Sequence, residues 1–349
     1  MKTRFFSLLA LLALLLTLAV ACKPVSNTAD GTTGNAGPET TPTTTEPVAT
    51  PVPVRVYTMN GTTGFGIAKL MEDAANGAFA TESYSFEVKS DFATEVLPAL
   101  TNGDADIAAI PTNGASVAYN KTQGKVKILA VNTLGCLYLI GNTAVNSLAE
   151  LEGKTVYAPA QNPTFIFSYL CQQNNINVTV DNTYSAPANL MTAVAAGEVE
   201  YAVLPEPMVT MAVNKAKADG RTLSVSLDLT AEWDKLPGMK DTLVQGCVVV
   251  RTTFLEEHPE AVENFLRAYE ASINYLNANV AEAAALVVKH GIFAQEAVAK
   301  VAIPKCNVAY VAGDAMKQAM QTYLGILKSI NATAIGGELP ADDFYYSGT

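Results

Sequence analysis

The residue whose type and setting point most directly to chemistry is Glu206, which lies between Pro205 and Pro207 directly after an apolar run. The two prolines restrict the backbone on both sides, so the carboxylate is held at a fixed place. A carboxylate accepts hydrogen bonds, and it therefore suits a ligand that carries amino or ring N–H groups. A second interpretation is that Glu206 only supplies a negative charge at the start of a helix, where the helix dipole stabilises it.

Three further loops contain polar or glycine-rich residues that are candidates for the same site. Glycines in residues 60–64 let backbone N–H groups approach a ligand, and residues 112–114 and 161–164 stand where helices are predicted to begin. Each loop also has a purely structural interpretation as a tight turn or a helix cap. Besides Glu206, the predicted ligand-binding residues are Asn60, Gly61, Thr62, Thr63, Thr112, Asn113, Gln161, Asn162 and Thr164.

Residues that could support catalysis or bind a metal are sparse. The two histidines, His258 and His290, precede Pro259 and Gly291 at a predicted helix start and a predicted helix end. The sequence contains no CxxC pair, no metal-ligand spacing and no GxSxG nucleophile elbow. We therefore expect a protein that binds rather than catalyses, with no metal and no cofactor.

An internal repeat indicates which elements position the candidate residues. Residues 101–111 (TNGDADIAAIP) align with residues 195–205 (AAGEVEYAVLP) without a gap, at an offset of 94 positions. A weaker correspondence sets Val56-Tyr57 against Val156-Tyr157. The chain is therefore predicted to contain two similar α/β units.

Each unit alternates strands with helices. Strands are predicted at 54–58, 86–89, 106–110, 155–158, 178–184 and 201–204, and helices at 67–74, 93–102, 164–174 and 188–196. Longer amphipathic helices over 257–277, 280–290 and 314–330 are expected to complete the first unit. This order predicts an α/β fold of two lobes, each a mostly parallel sheet flanked by helices. Ligands bind beyond the carboxyl ends of such strands, where the four candidate loops lie.

The N-terminal residues predict export and lipidation. Lys2 and Arg4 precede an apolar stretch over 5–16, and small residues lead to Cys22. This pattern predicts a lipoprotein signal peptide over 1–21 and a Cys22 that carries acyl chains such as palmitate. An ordinary secretory peptide with a chance cysteine is the alternative. Residues 22–53, rich in Thr, Pro, Ala and Gly, have little to bury and are predicted to form a disordered tether.

Charge and cysteine content limit the partners and the cross-links. Lys and Arg number 22 against 33 Asp and Glu, a net charge of −11, and no basic cluster follows the signal peptide. Nucleic acid and an anionic membrane surface are therefore poor partners, and we expect a monomer that binds a small molecule. Cys136 and Cys247 fall near the predicted crossings between the lobes and pair in one hypothesis. The favoured interpretation is that both, with Cys171 and Cys306, are unpaired and mostly buried.

Five segments carry a resemblance to a known family: MNGTTG (59–64), GDADIAAIPTN (103–113), NTLG (132–135), LPEP (204–207) and QGC (245–247). Their order and spacing are similar to those of the substrate-binding proteins of ABC importers that take up nitrate, sulfonates, taurine and pyrimidine precursors of thiamine. The resemblance covers most of residues 55–346. It implies a type II periplasmic binding protein fold with two hinge crossings, a ligand enclosed between the lobes and a membrane permease as partner.

These inferences predict an extracytoplasmic receptor, lipid-anchored to the cell membrane, that delivers a small molecule to an ABC importer by hinge closure. Lobe 1 is predicted to comprise residues 54–135 plus 248–349, and lobe 2 residues 136–247. A surface receptor without a transporter and an exported enzyme on the same fold remain as alternatives.

The residue types of the loops favour a nitrogenous, pyrimidine-like ligand. None of the four loops contains Arg, the usual bidentate cation for sulfonate or nitrate, and Glu206 suits N–H donors. A receptor of the sulfonate, taurine or nitrate type is the alternative. Four tyrosines are available to stack on an aromatic ring: Tyr57, Tyr84, Tyr157 and Tyr184.

Overall fold

Residues 50–348 are described by a computed structural model. The predicted signal peptide, the lipidated Cys22 and the tether as far as residue 49 lie outside the described residues. Within residues 50–348, none of the helices combines the length and the apolar character that a membrane crossing requires.

The first strand, β1 (Val52–Met59), shows how the sequence pattern produces the sheet. Val54, Val56 and Thr58 are fully buried, whereas Arg55 faces out. This period of two is the signature of a strand with one face on the core. The strand begins two residues before the predicted start, so the last two residues of the predicted tether are paired in the sheet.

Eleven strands form two sheets in the described part of the chain. They are β1 (Val52–Met59), β2 (Glu82–Lys89), β3 (Ile107–Pro111), β4 (Val126–Leu134), β5 (Leu137–Gly141), β6 (Thr155–Tyr157), β7 (Thr179–Asp181), β8 (Tyr201–Pro205), β9 (Ser224–Asp228), β10 (Val244–Arg251) and β11 (Val308–Val311).

The helices flank these sheets. They are α1 (Thr62–Phe65), α2 (Ala68–Ala75), α3 (Leu97–Asn102), α4 (Thr112–Thr122), α5 (Asn162–Gln173), α6 (Pro187–Ala196), α7 (Met208–Ala218), α8 (Leu229–Asp234), α9 (Thr252–Glu257), α10 (Pro259–Ala278), α11 (Val280–Lys289), α12 (Glu296–Ala302) and α13 (Gly313–Ile330).

The first sheet has the strand order β11-β4-β10-β3-β1-β2, and the second has the order β7-β6-β8-β5-β9. In the first sheet only β10 and β11 run against the other four strands, and in the second only β5 runs against the rest. The predicted α/β fold with two mostly parallel sheets is therefore confirmed. We refer below to each sheet with its packed helices as one half of the molecule.

Two crossings connect the halves. The chain leaves the first sheet between β4 and β5 and returns between α8 and β10. Because β10 pairs with β3 and β4 from its start, residues 244–247, predicted to lie in lobe 2, belong to a strand of the first sheet. Gln245 on this strand accepts a hydrogen bond from the backbone N–H of Cys136 at 2.8 Å, which ties the two crossings together.

The predicted helix over 93–102 and the strand over 178–184 are shorter than expected. A π-helical turn, Phe92–Val96, replaces the first half of the helix, and α3 begins at Leu97 with Pro98 in its first turn. Proline lacks the N–H that a continuous helix needs, so this break is expected on physical grounds. The strand ends at Asp181 because its carboxylate accepts the Thr183 N–H at 2.7 Å and turns the chain.

One apolar core extends across both halves. Trp233 of α8 is fully buried, with its ring centroid 5.1 Å from that of Tyr169 and 6.3 Å from that of Tyr323. Tyr169 lies on α5 of the second half, whereas Tyr323 lies on α13, which packs on the first half. This side of the molecule is therefore held together by aromatic packing.

All four described cysteines are free and buried. This confirms the favoured interpretation, and the hypothesis that Cys136 pairs with Cys247 is wrong. Cys247 lies in the middle of β10, where its thiol donates to the Ile110 carbonyl at 3.6 Å.

The acidic residue at the centre of the repeat, Asp106, fixes the start of β3. Its carboxylate is 1% exposed and accepts bonds from the Arg55 guanidinium at 2.6 and 2.8 Å and from Arg251 at 2.7 Å. Burial opposes ionisation, but the bonds from Arg55 and Arg251 outweigh it and hold the pKa of Asp106 below its usual range. The carboxylate therefore joins β1, β3 and β10 at one edge of the sheet.

Candidate functional site

Four of the predicted ligand-binding residues stand where a strand ends and a helix begins. Thr62 is the first residue of α1, and Asn162 is the first residue of α5. Asn113 lies in the first turn of α4, and Glu206 lies directly before the Pro207 that caps α7. In both halves, helix starts with their free backbone N–H groups therefore follow the strand ends.

The residues that precede α1 and α5 have nearly the same unusual backbone conformation. Gly61 has φ 77° and ψ −155°, and Gln161 has φ 74° and ψ −131°. They are related by the same offset of 100 positions as Val56 and Val156 in the repeat. Glycine adopts this conformation without strain, whereas a side chain with a Cβ atom costs about 1–3 kcal/mol there. The second half therefore retains strain at the residue that positions Asn162.

An amide pair connects the halves at two of these helix starts. The Asn162 Nδ2 donates to the Asn113 Oδ1 at 3.0 Å, and the Asn113 Nδ2 donates to the Ala334 carbonyl at 3.1 Å. The remaining polar atom, the Asn162 Oδ1, is buried and has no hydrogen-bond partner among residues 50–348. This acceptor is therefore unsatisfied in the described part of the chain.

A second set of contacts connects the other two loops. The Thr62 hydroxyl donates to the Glu206 carbonyl at 2.8 Å and lies 3.6 Å from the Cys306 sulfur. The Tyr138 hydroxyl donates to the Lys305 carbonyl at 2.9 Å. Burial raises the pKa of the Cys306 thiol well above its ordinary value, which disfavours the thiolate form.

Glu206 is buried, with only 1% of its surface exposed. Its carboxylate accepts the backbone N–H and the hydroxyl of Thr210, both at 3.0 Å, and lies 3.8 Å from the Lys305 Nζ. Burial raises the pKa of Glu206, and the Thr210 bonds and Lys305 offset this only in part. The structure thus shows the helix-start charge of the second interpretation, and contact with a ligand stays a prediction.

Three other predicted residues form hydrogen bonds within their own half of the molecule. The Thr112 hydroxyl is fully buried and donates to the Val244 carbonyl at 2.7 Å. The Thr164 hydroxyl donates to the Pro159 carbonyl at 2.8 Å, and the Thr63 carbonyl accepts from the Asn132 Nδ2 at 3.1 Å. These residues fix the shape of the loops.

A cavity of about 310 Å³ lies between the loops 60–64 and 206–207. Asn60 and Gly61 line it from the first half and Pro207 and Met208 from the second, and residues 291–294 complete the lining. Its volume is in the range of small-molecule sites. Asn162 is not among its lining residues, so the cavity and the amide pair are two separate parts of the region between the halves.

The tyrosines predicted as stacking platforms are engaged elsewhere. Tyr84 packs in a cluster with Phe79, Phe86 and Phe265, which makes it a core residue of the first half. Tyr157 and Tyr184 pack edge-to-face on each other at 5.9 Å, and the Lys89 ammonium lies over the Tyr57 ring.

Three residues that organise the site lie outside the predicted set. Asn132 is 1% exposed and donates to the Thr63 carbonyl and to the Tyr269 hydroxyl. Tyr138 and Lys305 bring β5 against the loop that precedes β11. Asn132 stands in the NTLG segment of the resemblance, which was the available signal, whereas nothing local distinguishes Tyr138 or Lys305. Within residues 50–348, no group of three or more His, Cys, Asp or Glu side chains is arranged to hold a metal ion.

Residues 74–283, more than half of the chain, match the family described as NMT1/THI5 like. The chain belongs to this family. Solved structures with the same fold include an ABC transporter protein from Parabacteroides distasonis, 23% identical over 84% of this chain and 98% of that one, with a TM-score of 0.69. None of the curated proteins compared with the chain matches it.

Two further solved structures are the periplasmic aliphatic sulphonate-binding protein of Escherichia coli and the periplasmic nitrate-binding protein of Synechocystis. The first is 12% identical over 86% of this chain and 94% of that one, with a TM-score of 0.67. The second is 16% identical over 68% and 66%, with a TM-score of 0.50. At these identities the likeness establishes the shared fold, that of type II periplasmic binding proteins.

Proposed function

We propose that the protein is an extracytoplasmic receptor that binds one small molecule between its two halves and delivers it to the permease of an ABC importer. The observation that carries this proposal is the set of helix starts from both halves that bond across to each other, Thr62 to Glu206 and Asn162 to Asn113. A ligand held between such loops contacts both halves and stabilises the closed arrangement. The permease then recognises that closed state.

The relatives support the transport assignment. The similar structures include one named for an ABC transporter, one for sulphonate binding and one for nitrate binding. The predicted lipoprotein signal and tether fit this role, because acyl chains on Cys22 would keep the receptor beside a permease in the same membrane. We also propose that the halves act as lobes, with residues 135–136 and 235–243 as the hinges.

The ligand class is the finer part of the proposal. Lys305 is a cation beside these loops, and its Nζ lies 3.8 Å from the Glu206 carboxylate. A cation already neutralised in this way is poorly placed to select a free oxyanion. We therefore propose a nitrogenous, pyrimidine-like ligand rather than a sulfonate or nitrate.

Ligand release and melting shifts test this function. Protein purified under native conditions is denatured, and the released small molecules are identified by mass spectrometry. Melting temperatures are then measured with pyrimidines, amino acids, sulfonates and nitrate. At 100 times Kd a ligand stabilises the folded state by about 2.7 kcal/mol. We expect one class to raise the melting temperature and to be recovered unchanged. Conversion of a bound compound would favour an enzyme, and the absence of any shift would contradict a receptor.

A further inference from the structure

The hydrogen bonds around Asn113 determine which way the side-chain amide of Asn162 faces. The Ala334 carbonyl can only accept a hydrogen bond, so the Asn113 side chain must turn its Nδ2 toward it. The Asn113 Oδ1 then faces Asn162 and requires a donor, which the Asn162 Nδ2 supplies at 3.0 Å. The Ala334 carbonyl thus fixes the orientation of the Asn113 amide, which in turn fixes that of the Asn162 amide.

The consequence is an acceptor of fixed polarity. The Asn162 Oδ1 is buried, has no partner in the described part of the chain, and cannot exchange places with the Nδ2 without breaking the contact with Asn113. A buried polar atom without a partner is costly, and the Asn162 Oδ1 is one of four such side-chain atoms in residues 50–348, the others being the hydroxyls of Tyr84, Thr230 and Tyr323. Only a donor, N–H or O–H, satisfies this atom.

The internal repeat indicates that this contact belongs to the site. Thr62 and Asn162 are equivalent at the offset of 100, and each starts a helix after a residue with positive φ. Each donates to the loop that follows the repeated strand in the opposite half, Glu206 after β8 and Asn113 after β3. Because the repeat relates the two contacts, a chance approach of two side chains does not explain them.

We propose that the Asn162 Oδ1 is the atom that selects the ligand, and that it selects molecules with an N–H donor, such as aminopyrimidines, over acceptor-only oxyanions. This inference rests on the proposed receptor function and adds the residue and the polarity of the selection. Sulfonate and nitrate groups present only acceptor oxygens, and two acceptors repel each other in a site without water. A site built around a polar contact rejects analogues that lack the matching group strongly.

Binding of matched probes to matched variants tests the inference. The probes are 4-aminopyrimidine and cytosine, their N,N-dimethylated analogues, which lack the exocyclic N–H, and methanesulfonate and nitrate, which only accept. Affinities are measured by calorimetry on the full-length wild type and on Asn162→Ala. We expect the wild type to favour the amino over the dimethylamino compound by about 10-fold or more, and Asn162→Ala to lose about 10- to 100-fold in affinity for the amino compound together with this preference.

Two further asparagine variants make the result specific. Asn174 caps the far end of α5 through the Leu170 carbonyl, so Asn174→Ala controls for damage to the helix and should bind as the wild type does. Asn60 lines the 310 Å³ cavity, so a loss of affinity in Asn60→Ala, with Asn162→Ala unchanged, would place the ligand in the cavity and overturn the inference while leaving the receptor function standing.

Asn113→Ala gives a readout that a merely structural role would not produce. Without Asn113 the Asn162 amide is free to turn over and present its Nδ2, so we expect affinity for methanesulfonate or nitrate to rise while that for the aminopyrimidine falls. Tight binding of an oxyanion to the wild type, unchanged in Asn162→Ala, would refute the selection by Asn162 alone. Binding of neither class would refute the receptor function, and the inference with it.

Discussion

The backbone at Gln161 allows a direct test of how the second half of the site is held. Its φ of 74° and ψ of −131° are comfortable for glycine and strained for glutamine, whose exposed side chain has little to gain from this position. Replacement by glycine removes about 1–3 kcal/mol of strain. It also adds about 0.5–1 kcal/mol of conformational freedom to the unfolded chain. We therefore expect Gln161→Gly to raise the free energy of unfolding by about 1 kcal/mol.

Urea unfolding, followed by the fluorescence of the single tryptophan, Trp233, measures this change. The repeat supplies the reciprocal variant, Gly61→Ala. Gly61 has φ 77°, and a Cβ added there would meet nothing within 4 Å, so the variant reports the backbone conformation alone. We expect Gly61→Ala to lower the free energy of unfolding by about 1 kcal/mol.

Loss of stability in Gln161→Gly would refute this reasoning, because the glutamine side chain would then contribute more than its backbone costs. Ligand affinity is measured on the same variant. If the strained turn serves to place Asn162, affinity for the aminopyrimidine probe should fall while stability rises, a trade-off typical of functional strain.

Three other predictions follow from the buried charges and the shared core. Asp106→Asn should lower the free energy of unfolding in urea by about 3 kcal/mol, the lower end for a broken buried pair, because Arg55 and Arg251 reach solvent. Since the pKa of Asp106 is lowered in the folded state, its ionised carboxylate stabilises the protein above about pH 4, and this stabilisation is lost as the pH falls through the folded-state pKa. Acid should therefore lower the melting temperature of the wild type more than that of Asp106→Asn. Because burial raises the pKa of Glu206, its ionised form costs stability as the pH rises above about 4.3, and Glu206→Gln should flatten that decline in melting temperature. Trp233 packs against helices from both halves, so its emission should shift when a ligand closes them, and unchanged emission with a ligand that raises the melting temperature would contradict closure.

The sequence predicts the parts of the fold that follow from local patterns. The repeated strands β3 and β8, each closed by a glycine-ended helix before it and a proline after it, lie where the pattern places them. The strands β4 and β5 are not predicted, because residues 126–141 form a nearly continuous buried run. Such a run has no hydrophobic period that distinguishes a strand from a buried helix. Short edge strands such as β11, with four residues, carry too little pattern to recognise.

The site is predicted only as far as its loops. The loops 60–64 and 161–164 do meet loops of the opposite half, because strand ends and helix starts follow from local residues. Local residues do not determine which atoms of these loops face one another. Glu206 directly follows β8, as expected, but Thr210, one helical turn later, donates its backbone N–H and its hydroxyl to the Glu206 carboxylate. Asn113 and Asn162 are 49 positions apart, so only the fold brings them together.

The two halves differ at equivalent positions of the candidate loops. At the offset of 94, Thr112 corresponds to Glu206, and at the offset of 100, Gly61 corresponds to Gln161 and Thr62 to Asn162. In the first half, Gly61 adopts its backbone conformation without strain, and the hydroxyls of Thr62 and Thr112 donate to backbone carbonyls. These hydroxyl hydrogens are therefore not available to a ligand. In the second half Glu206 also has its carboxylate oxygens bonded, to Thr210, but Gln161 forms a strained turn and Asn162 retains an unused acceptor. Selection of the ligand should therefore reside mainly in the second half, with the first half providing the surface against which the ligand is closed.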